Sequence, residues 1–460
     1  MHTRIIDEVR ERCKGRGQLR ILAATGVYSA VSGNHWMSLF DDLSWRELIA
    51  QMTHDDLPAL VEKDRFTVYA GFDPTADSLH LGHMVPLLGL ARFQRAGHTP
   101  IALMGGGTGM IGDPSGKSEE RNLLTADQIT ENLVTIEQQL RHLLDFSGSN
   151  AAVVINNLEW LGSIDLITFL RDIGKHFSVN VMMAKDSVQS RLKERDAGIS
   201  FTEFSYQLLQ AYDFLQLFDR HNCRLQIGGT DQWGNIVAGM DLTRRVREGA
   251  TTYGFTMPLI TKADGSKFGK TESGSVWLSG NKTSPYKFYQ YWINTSDADV
   301  VKYLGFFTFL DRAEVESLAQ QVKDAPQDRV AQKRLAEEVT RMVHGETELD
   351  NAVRASRAMF GGELRGLDEA TLADVFSEVP SATMPRTSLK GDTYVLDALT
   401  TAGVFASKGE ARRMVKNGGL YLNNERIDDE SVRLSEQSLC AGNVAVVRKG
   451  KKYYHLLRFE

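Results

Sequence analysis

Two hydrophobic patterns alternate along most of this chain. Short apolar runs at Val68 to Phe72, Thr99 to Met104, Ala152 to Asn156 and Arg224 to Gly228 read as buried strands. Between and after them, apolar positions recur at helical spacing over Met84 to Ala96, Asp127 to Leu144, Ile164 to Leu170 and Phe201 to Phe218. The same spacing from Trp45 to Val61 predicts an amphipathic helix ahead of the first strand. The alternation predicts an α/β fold: a Rossmann-like, mostly parallel sheet over residues 37–283, helices on both faces, and ligands at the C-terminal strand ends. Residues 284–358 read as an α-helical domain, with no comparable strands. A connector follows over 359–392, marked by Gly361-Gly362, Pro380 and Pro385. From 393 to 460 the pattern becomes a small α+β unit.

Composition narrows the class without naming it. A chain of 460 residues with 42% hydrophobic and 24% charged residues has ample sequence for a core and for more than one domain. The net charge of -6 means that any RNA contact must come from local basic patches. Cys13, Cys223 and Cys440 show neither disulfide nor metal-ligand spacing, which points to a reducing cytoplasm and no protein-held metal. No apolar run is long enough to span a bilayer. Residues 1–36 are basic but carry Asp7, Glu8 and Glu11, unlike a transit peptide. That segment reads as a misassigned start, with Met37 as the true one, or else as an appendage; poor order and dispensability are expected of it.

Candidate chemistry is densest between Thr67 and Lys117. Asp73-Pro74-Thr75 turns the first strand toward His80-Leu81-Gly82-His83 and a helix with Pro86 in its first turn. A helix start offers positive dipole and free N–H groups to an anion, and Gly82 leaves its backbone open to a flat ring or phosphate. Alone, the tetrapeptide reads more simply as two surface histidines at a turn. Lys267-Phe268-Gly269-Lys270-Thr271 alters the balance, because two lysines three apart on a Gly-rich loop can reach one polyphosphate. Gly107-x-Gly109-x-x-Gly112 fits a dinucleotide fingerprint, and Gly112 to Ser118 falls one residue short of a P-loop. Asp113-Pro114 interrupts the turn and no helix opens there, so both readings are rejected. These glycines are expected to let backbone pass close to substrate. Farther on, Tyr206, Gln210 and Asp213 share a helix face at i, i+4 and i+7. Gln226-Ile227-Gly228-Gly229-Thr230-Asp231-Gln232 sets glycines beside an acid after a strand; a Gly-rich turn with a surface Asp is the weaker alternative reading.

His80-Leu81-Gly82-His83 resembles the His-Ile-Gly-His signature of class I aminoacyl-tRNA synthetases, and the lysine loop resembles their Lys-Met-Ser-Lys-Ser signature. The wider context is similar to the bacterial-type tyrosyl-tRNA synthetases from about Leu39 to the C-terminus. Phe268-Gly269 departs from the commoner Met-Ser, and Gly269 is expected to add mobility. The resemblance implies that tyrosine is activated by ATP and transferred to tRNA(Tyr), with magnesium accompanying ATP, no tightly bound cofactor, and a homodimer. It assigns His80, His83, Lys267, Lys270 and Thr271 to catalysis. Tyr69 and Asp213 would hold the substrate phenol, Tyr206, Gln210 and Asp113 its ammonium group, and Gln232 its carboxylate end. Gly71, Asp73, Gly229 and Asp231 would meet ATP together with the histidines and Lys270. The helix and strand over Ala406 to Asn424 resemble the S4 RNA-binding module. Lys408, Arg412, Arg413 and Lys416 stand there as candidate RNA contacts, with Arg448, Lys449, Lys451 and Lys452 in the tail. Two other readings stay open: tryptophan specificity on the same architecture, against which Asp213 with Tyr69 argues, and a non-catalytic RNA-binding scaffold, against which the intact His and Lys residues argue.

Overall fold

The computed structural model describes residues 37–115, 124–185, 188–189, 199–266, 268–271, 274–359, 361–377, 379–450 and 453–460. The extension 1–36, Lys267, Lys451 and Lys452 therefore lie outside the described residues.

A six-stranded sheet organises the first half. Its strands are β1 (Gln51–Met52), β2 (Thr67–Phe72), β3 (Thr99–Met104), β4 (Val153–Asn156), β5 (Cys223–Gly229) and β6 (Tyr253–Met257). Their spatial order is β1-β6-β5-β2-β3-β4, all parallel except β1, which runs antiparallel to β6. The α/β expectation holds, and the predicted strands shift by at most one residue at an end. Every residue of β6 is buried and five of the six in β3 are, as a sheet covered on both faces requires. The chain moves one way from β2 through β3 to β4 and then returns to the other side of β2 with β5. That reversal opens a crevice at the C-terminal ends of β2 and β5.

The single helix expected over Trp45 to Val61 is instead two, α1 (Leu39–Trp45) and α2 (Leu57–Lys63), with β1 between them. Glu47 adopts a left-handed φ of 58°, which ends the first helix, and Pro58 sits in the first turn of the second. Arg46, just past α1, turns inward instead of continuing the amphipathic face.

Helix α3 (Leu81–Arg95) carries the histidine signature at its start and is followed by α4 (Ala126–Leu143). Helix α5 (Phe201–His221) ends at Asn222 in the left-handed conformation, a common stop, and α6 (Trp233–Val246) follows β5. The helical region comprises α7 (Pro285–Ile293), α8 (Asp297–Phe307), α9 (Arg312–Asp324) and α10 (Val330–Ala358).

Arg46 and Arg92 join these two regions. Arg46 donates to the carbonyls of Gly305, Thr308 and Leu310, at 3.0, 3.2 and 2.6 Å. Arg92, on α3, donates to those of Gly305 and Thr308 at 3.1 and 2.8 Å. Two guanidiniums thus satisfy the orphan carbonyls at the C-terminal end of α8, where positive charge is favoured. Asp42 accepts from Arg46 at 2.8 Å and lies 3.7 Å from Arg92.

Residues 359–392, read from sequence as a connector, carry a helix at Glu369–Val375 and a strand at Ser381–Met384. That strand runs parallel to the terminal strand Tyr453–Phe459 and completes a five-stranded sheet. The Asn424 side chain donates to the carbonyls of Ala358 and Gly362, at 3.0 and 2.8 Å, and Tyr454 donates to Met359 at 3.1 Å. The last module is therefore seated on the end of α10. No helix among the described residues is long and apolar enough to cross a membrane.

Replacing Arg92 by alanine removes one of the two donors to the Gly305 and Thr308 carbonyls and leaves Arg46 to serve them alone. A loss of about 1–3 kcal/mol is expected, on the scale of hydrogen bonds from a charged donor, read as a lower denaturant midpoint. An unchanged midpoint contradicts the clamp.

Candidate active site

The crevice between β2 and β5 gathers residues that lie far apart in the chain. At its floor, Asp213 on α5 accepts from Trp160 Nε1 at 2.7 Å and from Asn157 Nδ2 at 3.0 Å. Asp213 is 2% exposed, and its burial pushes the carboxyl pKa up to about 8, against the pull of those two donors. Tyr69 of β2 is fully buried with its ring edge-on to Phe214, and its hydroxyl has no hydrogen-bond partner among the described residues. Burial first, and then the Asp213 charge, hold the Tyr69 phenol well above its ordinary pKa. A buried unpaired hydroxyl costs about 1–3 kcal/mol, which a ligand bonding to it would recover.

One to two turns up α5 the chemistry becomes acidic and amide-rich. Tyr206 donates to Asp73 Oδ2 at 2.9 Å, and Thr108 donates to Asp73 Oδ1 at 2.8 Å. Gln232 Nε2 bridges Asp113 and Asp231 at 2.8 and 2.9 Å. Gln210 Nε2 donates to Gln232 Oε1 at 3.2 Å, and Asn235 Nδ2 donates to Gln210 Oε1 at 3.0 Å. Desolvation raises the pKa of Asp113 against hydrogen bonds from Gln232 and Ser115. Tyr69, Asp73, Asp113, Tyr206, Gln210, Asp213, Asp231 and Gln232 thus form one continuous polar lining.

The glycines of the first loop have a different reason from the one expected. A Cβ at Gly105 would stand 2.0 Å from Asp73 Oδ1, at Gly106 2.2 Å from Asn156 Oδ1, and at Gly109 2.9 Å from Pro74 Cδ. They let the loop close on its own neighbours, Asp73 above all. Gly71, by contrast, is exposed at the crevice and a Cβ there would meet nothing within 4 Å. Gly229 leaves room for Asp231, whose Oδ1 a Cβ would meet at 2.4 Å.

At the start of α3, His80 and His83 cap the helix reciprocally. Gly82 N–H donates to His80 Nδ1 at 3.1 Å and His80 N–H donates to His83 Nδ1 at 3.2 Å. The rings stack with centroids 4.0 Å apart. The flat ring that approaches Gly82 is that of His80, whose Cε1 a Cβ would meet at 2.9 Å. Because both Nδ1 atoms accept, each imidazole when neutral carries its proton on Nε2.

The lysine loop is laced to this turn. Leu81 N–H donates to Val276 O at 3.1 Å, and Val276 N–H to Gly269 O at 2.9 Å. Gly269 takes a φ of 73°, and a Cβ on it would lie 3.2 Å from Leu81 Cβ. Glycine at this position thus supplies a left-handed turn close to the histidine signature, a role separate from the mobility expected of it. Lys270 and Thr271 follow on a short hairpin strand, Lys270–Thr271, paired with Gly274–Ser275. Asn157, Trp160, Thr108 and Asn235 were not legible as site residues, since each contributes through a partner distant in sequence.

The sequence matches the family "tRNA synthetases class I (W and Y)" over residues 62–361 and the "Tyrosine--tRNA ligase SYY-like C-terminal domain" over residues 371–457. The tyrosine--tRNA ligase of Roseiflexus castenholzii is 55% identical over 423 residues, 92% of this chain and 99% of that protein. That of Geobacillus stearothermophilus is 52% identical over 425 residues, 92% of this chain and 100% of the relative. A crystal structure of a C-terminally truncated Aspergillus nidulans mitochondrial tyrosyl-tRNA synthetase superposes with a TM-score of 0.63. It is 29% identical and covers 78% of this chain and 99% of its own. The chain belongs to the bacterial-type tyrosyl-tRNA synthetases, a family of ligases within class I.

Asp213 yields a pH signature. Its folded-state pKa lies above the ordinary value of 3.8, so the folded protein keeps a proton that the unfolded chain releases. Its contribution to stability is full below about pH 4 and is lost as pH rises through about 8. Thermal midpoints measured from pH 5 to 9 should therefore fall more steeply for the parent than for Asp213→Asn. Parallel profiles contradict the raised pKa.

Proposed function

We propose that the crevice binds tyrosine with its phenol against Tyr69 and Asp213, and that the observation carrying this is the buried, unpaired Tyr69 hydroxyl beside a buried carboxyl group. A phenol bonds to both groups, whereas phenylalanine leaves the Tyr69 hydroxyl unpaired in a dry site; tyrosyl-tRNA synthetases are the known illustration of that discrimination. Tyr206, Gln210 and Asp113 receive the ammonium group, and Gln232 lies at the carboxylate end. Gly71, with open space above it, lets the nucleotide approach β2 closely, and Asp73, Gly229 and Asp231 line its path. The reaction is the family's: the tyrosine carboxylate attacks the α-phosphate of ATP, pyrophosphate leaves, and the tyrosyl group passes to the terminal ribose of tRNA(Tyr). The Nε2 donors of His80 and His83 stabilise charge growing on the phosphate, while Lys267, Lys270 and Thr271 attend the departing pyrophosphate. Magnesium enters on the ATP phosphates as part of the substrate.

RNA contact is proposed for Lys408, Arg412, Arg413 and Lys416 of the helix Lys408–Lys416. Lys408 pairs with Asp397 at 2.8 Å and Arg412 with Glu430 at 3.2 Å, while Arg413 and Lys416 have no ion-pair partner among the described residues. Exposed pairs of this kind are worth little, so a phosphate displaces the acids at small cost. The free buried thiols of Cys223 and Cys440 suit a cytoplasmic setting. A homodimer is supported by Leu166, Ile167, Val181 and Phe201, which are 68%, 69%, 64% and 78% exposed. A monomer mass in sedimentation would contradict it.

Lys270→Ala should slow adenylate formation by on the order of 100-fold and leave tyrosine affinity unchanged; full activity sinks the assigned role. Ending the chain at Gly361, ahead of the strand that completes the C-terminal sheet, should spare adenylate formation and impair tRNA charging. Normal charging by the shortened protein refutes the RNA role of the last module.

A further inference from the structure

The second residue of the lysine motif is partly buried, packed in a place the reaction itself does not explain. Phe268 stacks on Phe307 of α8 with centroids 5.0 Å apart and planes inclined by 13°. Tyr303 meets it edge-on at 5.2 Å, and Trp292 of α7 lies at 5.9 Å. Phe307, Trp292 and Tyr303 are themselves 0%, 0% and 2% exposed, so the socket belongs to the core of the helical region. Two further ties run from the same loop to the same helices. Gly269 N–H donates to the Tyr291 hydroxyl at 3.0 Å, and Ala263 N–H donates to Asp299 Oδ1 at 2.9 Å. Asp299 is in turn held by the Ser296 hydroxyl at 2.8 Å.

From this geometry we infer that Phe268 and Tyr291 are positioning residues for Lys270: the helical region, through an aromatic socket and one hydroxyl, sets where the catalytic lysine stands. The inference rests on the role proposed for Lys270. Lys270 is two residues from Phe268 and adjacent to Gly269, whose amide is fixed by Tyr291 and whose carbonyl is fixed by Val276. With both neighbouring peptide groups held, the start of the Lys270 side chain is fixed relative to Leu81 and the histidine turn. Aromatic packing suits this task, because a stacked ring has few alternative placements and each good ring contact adds stability beyond the area it buries. Neither Phe268 nor Tyr291 has to touch substrate. They act by holding a charge where the transition state needs it, and such placement is sensitive to shifts of about an ångström.

The test is a comparison of rate with affinity. Phe268→Ala should lower kcat for tyrosine-dependent pyrophosphate exchange by on the order of 10- to 100-fold, with the tyrosine dissociation constant unchanged. Phe268→Met, which refills the socket with a flexible apolar chain, should restore most of the rate. In the double variant with Lys270→Ala, the Phe268→Ala change should add little, because both changes remove the same interaction. If Phe268→Ala fails to fold, Tyr291→Phe carries the test: it removes only the hydroxyl and should lower kcat without altering tyrosine affinity. A parent-like rate in Phe268→Ala or Tyr291→Phe overturns the inference, as does a double variant slowed by the product of the two single effects. If Lys270→Ala is itself fully active, the fault lies with the role given to the lysine. If it is slow while the other variants are not, only the positioning role falls.

Discussion

Placement of β2 between β3 and β5 is the constraint on which the site depends. The parallel ladders on either side bring two C-terminal strand ends together where the chain reverses its direction across the sheet. Tyr69, Gly71 and Asp73 come from the end of one strand, and Gly229, Asp231 and Gln232 from the end of the other. Helix α5, packed behind β2, then directs Tyr206, Gln210 and Asp213 into the gap. Apart from Gln232 and Asp231, the hydrogen-bonded partners lie far apart in sequence, and the register of β2 decides whether Tyr69 and Asp73 face the others. A slip of one residue would turn Tyr69 to the opposite face of the sheet.

The site divides electrically. Asp213 and Tyr69 lie in a dry floor, where burial favours the neutral carboxyl and makes an unpaired hydroxyl costly. Above them Asp73, Asp113 and Asp231 share amide and hydroxyl donors, an arrangement suited to a cationic ammonium group and to hydroxyl-bearing sugars. Beyond these stand the histidine-capped start of α3 and the lysine loop, where donors and positive charge suit phosphates. On the proposed reading, the amino acid and nucleotide are sorted by environment along one crevice, and catalysis by placement needs no covalent intermediate.

Much of this was legible because period and motif are local properties. Strand-like runs at 68–72 and 99–104 matched their ladders closely, and the three polar residues of α5 read as a face from spacing alone. Misreadings came where long-range contacts overrode local pattern. Helical spacing over 45–61 gave way to two helices and an edge strand, because Arg46 is drawn to carbonyls more than 250 positions away. The glycines from 107 to 112 were read as space for substrate, but a side chain at Gly109 would meet Pro74, and at the neighbouring Gly105 and Gly106 the loop closes on Asp73 and Asn156. Ser381–Met384 was read as connector because a strand of four residues, two exposed and only Met384 buried, has little pattern until its partner, at the far end of the chain, is known. Trp160 and Asn157 escaped notice because nothing local distinguishes the donors that hold Asp213.

Amino-acid-dependent exchange of labelled pyrophosphate into ATP tests the central claim most directly, with tyrosine, tryptophan and phenylalanine offered separately. Exchange with tyrosine alone is the result predicted by a cleft whose floor bonds a phenol and whose rim manages polyphosphate. Exchange with tryptophan, or with phenylalanine as readily as with tyrosine, would contradict the pairing of Tyr69 with Asp213 as the reader of the substrate hydroxyl. A folded protein that catalyses no exchange with any of the three would contradict the active site itself.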